Sequence, residues 1–470
     1  MAVQNKSQNL HPGATENIRQ SIVGIDNEVP LLNGSTRRYI NFDNAASTPP
    51  LKEVMKTVND FASWYSSVHR GAGYKSKVAT AAFEQARQTV SDFFGANNDD
   101  HVVIFGKNTT EAINKLSYRL ALTANDIVLV GSTEHHSNDL PWRRTAQVIH
   151  IPLDSQGRLI KTDFEELLRK YKGRVKLVAI TGGSNVTGYV PDIHKLAKLA
   201  HAAGAYILVD CAQLAAHRKI NMKLLNDIEH LDFVTVSAHK MYAPFGTGAL
   251  IGRRDVFKSG APELRGGGTI KFVTEDKVEW ADLPDREEAG SPNVIGAVAF
   301  ARALSFLQQL GLDKIAAHET RLVAYALPKL RAIKGLKVYG DVDPTNRLGV
   351  ISFNIGDMPN GLVAAILATE WGIGVRDGCF CAHPYVASLI GLSATDIKHF
   401  SSLAAADDRG AMPGMVRVSF GMYNTAEEVD RLLYALEHIA AGAFEGNYVQ
   451  NKKTGEYNAS GWQPVLPKFF

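Results

Sequence analysis

The feature that most constrains the fold is an alternation of short apolar runs with helical patterns through the first half of the chain. The runs IVLVG at 127–131, VKLVAITG at 175–182 and AYILVD at 205–210 are almost continuously apolar. Such runs are typical of strands buried on both faces of a parallel sheet. Helical patterns lie between them, at 162–171 and at 192–204. The alternation predicts an α/β fold built on a large, doubly wound, mostly parallel sheet.

After about residue 295 the pattern changes to a long apolar helix followed by strands and another helix. This pattern favours a smaller α+β C-terminal domain. The polar and aromatic tail has no clear periodicity, and we expect a surface arm, on this chain or on a partner subunit. The predicted units are an N-terminal arm at 1–37, a large domain at 38–295, a small C-terminal domain at 296–444 and a C-terminal tail at 445–470.

Composition excludes several classes of function. The 470 residues carry a net charge of +3 without any basic block, which argues against nucleic acid as a partner. No apolar run is long enough to span a membrane, and the first residues contain no signal-peptide pattern, so we expect a cytoplasmic location. The three cysteines, Cys211, Cys379 and Cys381, are too few for a disulfide scaffold and do not have zinc-site spacing, so no metal is expected.

The strongest local signal combines a lysine and an aspartate that each follow a predicted strand. Lys240 lies in SAHKMYAPFGTG at 237–248, and Asp210 lies in VDCAQ at 209–213. Ligands of open α/β sheets bind beyond the carboxyl ends of the strands, where both residues fall. Pyridoxal phosphate requires this pair, because a lysine forms a Schiff base with it and an aspartate stabilises its protonated pyridine nitrogen.

Eleven motifs along the chain make the resemblance specific. They are NFDNAAST at 41–48, VHRGAGYKS at 68–76, NTTEAIN at 108–114, EHHSNDLPW at 134–142, SNVTGYVPD at 184–192, VDCAQ at 209–213, SAHK at 237–240, RGGGT at 265–269, EAGSPN at 288–293, VRDGCFCAHP at 375–384 and RVSFGMYNT at 417–425. With these motifs in this order, the chain resembles the class V aminotransferase family of pyridoxal-phosphate fold type I. Within that family it is most similar to cysteine desulfurases and selenocysteine lyases.

The resemblance implies a role for each residue of the cofactor site. Lys240 would join the cofactor, Asp210 would pair with the pyridine nitrogen, and His135 would stack on the ring. The remaining cofactor-binding residues that it implies are Gln213 and Asn185 near the phenolic oxygen, and Thr109, Thr110, Ser237 and His239 around the phosphate. In this family a loop such as Gly268–Thr269 reaches the neighbouring subunit's phosphate, so a homodimer with shared sites is implied.

The resemblance also indicates the reaction. Cys381 occupies the place of the desulfurase nucleophile, which takes sulfur from cysteine as a persulfide and leaves alanine, and selenium from selenocysteine is the related reaction. A sulfur-acceptor protein is then a candidate partner. Arg417 is expected to bind the substrate carboxylate, with Arg376 nearby, because a planar guanidinium suits a carboxylate. His69 and Arg70 are expected to line the entrance to the site.

Two departures from the desulfurase pattern keep alternatives open. Cys379 and Phe380 stand where the similar enzymes have a pair of histidines, and Cys379 would relay sulfur, form a labile disulfide or simply pack. The stretch from Cys381 to Arg417 is also longer than expected, because of an extra segment around 385–412. A C–S lyase, an epimerase or an aminotransferase acting on another amino acid is therefore an alternative, and a regulator without turnover is a further one.

Overall fold

The computed structural model describes residues 18–69 and 71–470. The helices are α1 Lys52–Ala62, α2 Tyr74–Phe93, α3 Thr109–Arg119, α4 Lys161–Lys170, α5 Ile193–Ala202, α6 Arg254–Phe257, α7 Val294–Leu310, α8 Leu312–Ala332, α9 Asn360–Trp371, α10 His383–Ile390, α11 Ala394–Ala405 and α12 Ala426–Ala440. Residues 1–17, which begin the predicted N-terminal arm, and Arg70 lie outside the described residues.

The strands are short and fall into one large sheet, one smaller sheet and several two-stranded pairs. They are β1 Glu28–Pro30, β2 Thr36–Arg38, β3 Ile40–Asn41, β4 His101–Gly106, β5 Ile127–Gly131, β6 Gln147–Ile151, β7 Val175–Thr181, β8 Tyr206–Asp210, β9 Phe233–Ser237, β10 Gly248–Arg253, β11 Ile270–Val273, β12 Val278–Trp280, β13 Leu336–Tyr339, β14 Val350–Ile355, β15 Ile373–Gly374, β16 Arg376–Gly378, β17 Met415–Ser419, β18 Tyr448–Gln450 and β19 Tyr457–Ala459.

The large sheet has seven strands in the order β4-β10-β9-β8-β7-β5-β6. Strands β5 to β9 run parallel to one another, and β10 runs antiparallel to both β4 and β9. Successive residues of β5 point to opposite faces: Ile127 and Leu129 pack in one core with α5 and α7, and Val128 and Val130 in another with α3. Burial on both faces explains the continuous apolar runs, and the predicted doubly wound sheet is confirmed.

The smaller sheet is antiparallel, in the order β13-β14-β17-β16, and shares an apolar core with α8, α9 and α12. This arrangement confirms the predicted α+β character of the C-terminal part. Strand β3 pairs in parallel with β15, so that Ile40 lies opposite Ile373. The segment after β3 is thereby brought next to the small sheet, where it contributes to the site described below.

Helix α7 packs on α1 and α2, and its buried side chains belong to the core of the large sheet. The next helix, α8, joins that core at Leu312 and Ile315 and the small core from Leu322 onward. We therefore propose a boundary inside α8 instead of at residue 295. Among the described residues no single helix is long and apolar enough to cross a membrane, although α7 and α8, bent by 75°, meet that criterion jointly.

The segment after residue 444 begins with a hairpin of β18 and β19 that lies on its own chain. The carboxylate of Glu370 in α9 accepts hydrogen bonds from the Gly446 amide at 2.9 Å and the Tyr448 hydroxyl at 2.8 Å. Helices α10 and α11 account for most of the extra segment 385–412. Together with α9 and the hairpin they line an open cavity of about 990 Å³.

Candidate active site

A cavity of about 240 Å³ opens at the carboxyl ends of the parallel strands, between the two sheets. Each of β5, β7, β8 and β9 delivers a side chain at its end, and the small sheet closes the other side. The cavity is lined by Thr109, Thr110, His135, Asn185, Asp210, Gln213, Ser237, His239, Lys240, Arg376, Cys381 and Arg417. Residues separated by up to about three hundred positions, all named from the sequence, are thus brought together by the topology.

Lys240 and Asp210 face this cavity from neighbouring strands. Burial lowers the pKa of Lys240 to about 8, and the charge of Asp210 opposes that shift. Burial likewise raises the pKa of Asp210, while Lys240 and a hydrogen bond from the Ala212 amide, at 2.9 Å, favour the carboxylate. A lysine that loses its proton near neutral pH is a competent nucleophile toward a carbonyl group.

His135 lies four residues after the end of β5, at the start of a short 3₁₀ helix. Its Nδ1 accepts a hydrogen bond from the Ser137 amide at 3.1 Å, so the proton of the neutral ring is on Nε2. Burial, together with the positive charge of Lys240, lowers the pKa of His135 to about 4. The imidazole is therefore neutral at physiological pH and presents a flat apolar face.

The opposite end of the cavity is formed by the first turn of α3. The Asn108 side chain caps this helix by accepting from the Glu111 amide. The Ser237 hydroxyl accepts from the Thr109 amide at 2.9 Å, and the Thr110 hydroxyl contacts the Ser137 hydroxyl at 2.7 Å. Hydroxyl groups around a helix N-terminus are suited to an anion such as a phosphate.

His239 and the two side-chain amides are held by neighbouring loops. His239 lies 3.3 Å from the Ser47 hydroxyl, and burial with the charge of Lys240 lowers its pKa to about 4. The Gln213 amide donates to the Ala45 carbonyl, and the Asn185 amide donates to the Phe380 carbonyl, both at 2.7 Å. These bonds fix the loops that form the rim of the cavity.

Arg417 is buried in β17 and is bound on several sides. Its guanidinium donates to the Asp43 carboxylate at 2.9 Å and to the Asn185 carbonyl at 3.0 Å, and it lies 4.8 Å from the centre of the Phe380 ring. Its Nε–H is buried without a hydrogen-bond partner among the described residues. Arg376 approaches Asp43 less closely, at 3.8 Å, and is half exposed.

Sequence reasoning missed Asp43, although it lies in the NFDNAAST motif. Its carboxylate is positioned because the segment after β3 crosses to the small sheet, where the backbone of Asp43 pairs with that of Ser419 in an isolated parallel β-bridge. Its place in a motif that the resemblance singled out was the available signal. Phe380, Ser137 and Asn108 also line the cavity and were quoted within motifs without a role.

The three cysteines have different environments, and all are free thiols. Cys381 is exposed, lines the cavity and has left-handed backbone, as does Phe380. The Cys379 thiol donates to the Pro413 carbonyl at 3.0 Å, and burial raises its pKa to about 11. Cys211 is fully buried, and burial raises its pKa. Among the thiols, Cys381 is therefore the one that faces the ligand space.

Two residues expected at the site, His69 and Thr269, do not line this cavity. His69 is exposed and lies 3.1 Å from the Glu84 carboxylate. Thr269 is buried and donates to the Gly266 carbonyl of its own loop at 2.7 Å. Arg70 lies outside the described residues. The roles given to His69 and Thr269 by the resemblance stay predictions, and the role of Thr269 concerns a neighbouring subunit.

Comparison with known protein families decides the relationship. The sequence model of the aminotransferase class-V family matches residues 40–432. The chain belongs to the class-V aminotransferase family. The match begins at β3 and ends in α12, so it includes both sheets and the residues that line the cavity.

Two curated members of the family show how similar the chain is to proteins of known name. A protein of Haloferax volcanii named cysteine desulfurase is 33% identical over 411 residues, which cover 86% of this chain and 89% of that protein. A protein of Halalkalibacterium halodurans named probable cysteine desulfurase is 35% identical over 422 residues, covering 88% and 95%. The similarity extends over nearly the whole length of each protein.

Solved structures give the same relationship for the fold. The apo structure of a cysteine desulfurase from Thermococcus onnurineus superposes with a TM-score of 0.77 and 31% identity, covering 94% of this chain and all of that one. A class-V aminotransferase fold of this kind is confirmed, with the large, mostly parallel sheet and the smaller C-terminal sheet as the sequence predicted.

Proposed function

We propose that this protein is a pyridoxal-phosphate-dependent cysteine desulfurase that takes sulfur from L-cysteine, or selenium from selenocysteine, onto Cys381 and releases alanine. The observation that carries the proposal is that the Cys381 thiol, the Lys240 amine and Arg417 line one cavity. Each of the three groups would serve a different part of the reaction. The relatives named cysteine desulfurase align with nearly the full length of the chain.

The residues present fit pyridoxal phosphate. Lys240 offers an amine for the aldehyde, Asp210 a carboxylate for the pyridine N–H, and α3 an N-terminus with hydroxyl groups for the phosphate. The neutral ring of His135 is suited to stack on the pyridine. Asn185 and Gln213 would lie near the phenolic oxygen. The cofactor, when bound, supplies an electron sink for bonds to the amino acid's α-carbon.

Arg417 is proposed to hold the substrate carboxylate. Its Nε–H has no partner among the described residues, and the Phe380 ring and Asp43 fix the plane of the guanidinium. A planar donor held in this way can form two parallel hydrogen bonds to a carboxylate. Arg376, on the neighbouring strand, adds a second positive charge at the same rim, and His69 is proposed to act at the entrance.

Cys381 is proposed to attack the sulfur of the bound substrate as a thiolate. The bond between the substrate's β-carbon and sulfur breaks, an S–S bond forms on Cys381, and the β-carbon takes up a proton to give alanine. The reaction balances without an external oxidant, because the Cys381 sulfur and the substrate sulfur together lose the two electrons that the β-carbon gains. Lys240 and Arg417 line the same cavity as the Cys381 thiol, so two basic side chains lie around the attacking sulfur.

The persulfide would be removed by a second thiol, from a small reductant or from a sulfur-acceptor protein. A homodimer, in which Thr269 of each subunit reaches the phosphate of the other site, and a cytoplasmic location with reduced thiols are parts of the same proposal.

None of the residues 385–412 lines the cavity, so this segment does not shape the proposed amino-acid pocket.

The direct test incubates the purified holoenzyme with cysteine and a reductant and measures sulfide and alanine. The wild type is expected to form both in equal amounts, and mass spectrometry without reductant should find one added sulfur on Cys381. Cys381→Ala should lose sulfide formation and keep the visible absorbance of the bound cofactor. Cys379→Ala is the matched control, since that thiol is bound to Pro413, and it should stay active. Full activity of Cys381→Ala, or formation of pyruvate, a racemised amino acid or a keto acid, would replace the proposal by a lyase, epimerase or aminotransferase.

A further inference from the structure

The backbone at Cys381 has an unfavourable conformation, which contacts from other parts of the chain must stabilise. Phe380 and Cys381 have φ of 52° and 54°, the left-handed region that side chains with a Cβ rarely adopt. Such residues persist only where surrounding contacts hold them, and they occur mainly where function requires the geometry. The Asn185 amide holds the Phe380 carbonyl, and the next residues must be held separately.

His136 contacts both ends of the stretch from Cys381 to His383. Its backbone N–H donates to the Cys381 carbonyl at 2.8 Å. Its Nε2 lies 3.2 Å from the backbone amide of His383 and 3.1 Å from the Nδ1 of the same residue. The two imidazole rings are stacked, with centroids 4.9 Å apart and planes 7° apart.

The direction of these bonds fixes the protonation of His136. The His383 backbone can only donate, so Nε2 of His136 must be the acceptor and the proton of the neutral ring must be on Nδ1. His383 is the first residue of α10, and Ala382 provides no side-chain cap. The imidazole therefore satisfies one of the amide groups that a helix start leaves free. Burial and the charges of His383 and Arg143 lower the pKa of His136 against the opposing charge of Asp139, which favours the neutral acceptor.

We propose that His136 is a positioning residue that holds the Cys381 turn, through its backbone N–H and its imidazole Nε2, so that the thiol faces the cavity. The inference rests on the proposed function, because it assigns His136 a part in placing the sulfur nucleophile. His136 itself does not line the cavity, so it acts through the turn that it holds.

The test compares His136→Phe, which keeps a ring to stack on His383 but loses the acceptor, with His136→Gln, which keeps an acceptor. His136→Phe should lower kcat for alanine formation about tenfold or more, with KM within about twofold, because a misplaced nucleophile costs rate. The visible absorbance of the bound cofactor should stay unchanged, and the alkylation rate of Cys381 by iodoacetamide should change. His136→Gln should restore most of the rate. His399→Phe, an exposed histidine of α11, is the control and should behave as wild type.

A second variant keeps the inference open to refutation if His136→Phe folds poorly. His383→Pro deletes the backbone donor and the stacked imidazole at the first position of α10, the helical position at which proline is commonest. It should lower kcat in the same way, and its effect should not add to that of His136→Phe. Wild-type kcat in either variant, or equal losses in His136→Phe and His136→Gln, would overturn the inference. If Cys381→Ala is inactive at the same time, only the positioning role fails, whereas an active Cys381→Ala refutes the proposed function itself.

Discussion

At the scale of single residues, burial sets the chemistry of the cavity. It lowers the pKa of Lys240 to about 8 and that of His135 to about 4, and it raises that of Asp210. The charges of neighbouring groups modify each shift, and burial is the larger cause in every case. A largely dehydrated pocket therefore makes an amine nucleophilic near neutral pH, which an exposed lysine would not be.

The apoprotein should take up pyridoxal phosphate faster as pH rises through about 8. Below that pH the Lys240 amine is protonated and cannot attack an aldehyde, so about a tenth of the molecules are reactive at pH 7. The rate of appearance of the cofactor's visible absorbance, measured from pH 6.5 to 10, should level off above the midpoint. In Asp210→Asn the midpoint should move to lower pH, because the carboxylate favours the ammonium form. A midpoint near the ordinary lysine value would contradict the burial argument.

Replacing Arg417 by lysine should lower kcat/KM for cysteine by about ten- to a hundredfold, the value of one or two hydrogen bonds to a charged group. Lysine keeps the charge but loses the planar contact with Phe380 and the second hydrogen bond. Alanine formation at varied cysteine concentration measures the effect. Arg376→Lys, which changes a half-exposed residue, should lose less. An equal loss in both variants would mean that Arg417 has no special role at the carboxylate.

At the scale of elements, a buried cluster of charged residues stabilises the large sheet at the amino ends of its parallel strands. Asp232, before β9, accepts from His201 at 2.8 Å, from His230 at 3.1 Å and from Arg253 at 3.3 Å. The two imidazoles are stacked, with centroids 4.0 Å apart and planes 18° apart. A ring nitrogen binds a metal ion in the plane of its ring, and the nitrogen lone pairs of two stacked rings do not converge on one ion. We interpret the cluster as a network of ion pairs that links α5, β9 and β10.

Asp232→Asn should lower the free energy of unfolding by about 3 kcal/mol, because it leaves buried cations unpaired. The pKa of Asp232 is lowered mainly by its two histidines, so its stabilisation is present above about pH 4, the unfolded value, and is lost in stronger acid. The pKa of His201 is raised by Asp232, so its stabilisation is present below about pH 6.5 and is lost at higher pH. Denaturant unfolding should thus show the largest difference between about pH 4 and 6.5. Asp255→Asn, which removes an exposed partner of Arg253, is the control and should cost less than about 1 kcal/mol.

At the scale of the whole molecule, the loop that carries Thr269 lies apart from the cavity of its own chain. Thr269 is buried in its own loop and does not line the cavity of its own chain. In the proposed homodimer the same loop serves the other site. The hairpin that follows it carries exposed apolar side chains, among them Phe272 and Val273, which a second subunit would cover.

Mixing two impaired subunits should therefore restore activity at limiting cofactor. Lys240→Ala should be inactive, and Thr269→Ala should bind the cofactor weakly. After mixing with subunit exchange, each mixed dimer has one site that combines Lys240 from one chain with Thr269 from the other. Activity should return to about a quarter of the wild type at limiting cofactor, since half of the dimers carry one intact site of two. Mixtures no more active than Thr269→Ala alone would show that the sites are not shared.

Much of this molecule follows from local sequence patterns. Strand β5 was predicted with its observed bounds, 127–131, and the apolar runs at 175–182 and 205–210 match β7 and β8 to within one residue at each end, because burial on both faces leaves continuous apolar runs. The edge strand β6 was not predicted. The placement of Asp210 and Lys240 at one edge follows from parallel strands alone. The predicted tail and the segment 385–412 were less informative, because a hairpin or helices that pack on other elements have only weak periodicity of their own.

What only the tertiary structure decided involves residues far apart in the chain. Arg417 meets Asp43 across 374 positions, His136 meets His383 across 247, and Cys379 meets the carbonyl of Pro413. Periodicity reports which side of an element is buried and gives no information on which distant group it meets. The sequence by itself determined the sheet, the strand-end chemistry and the family. The pairing of Arg417, the left-handed turn of Cys381 and its support by His136 depend on how two separate sheets pack against each other, which long-range contacts alone establish.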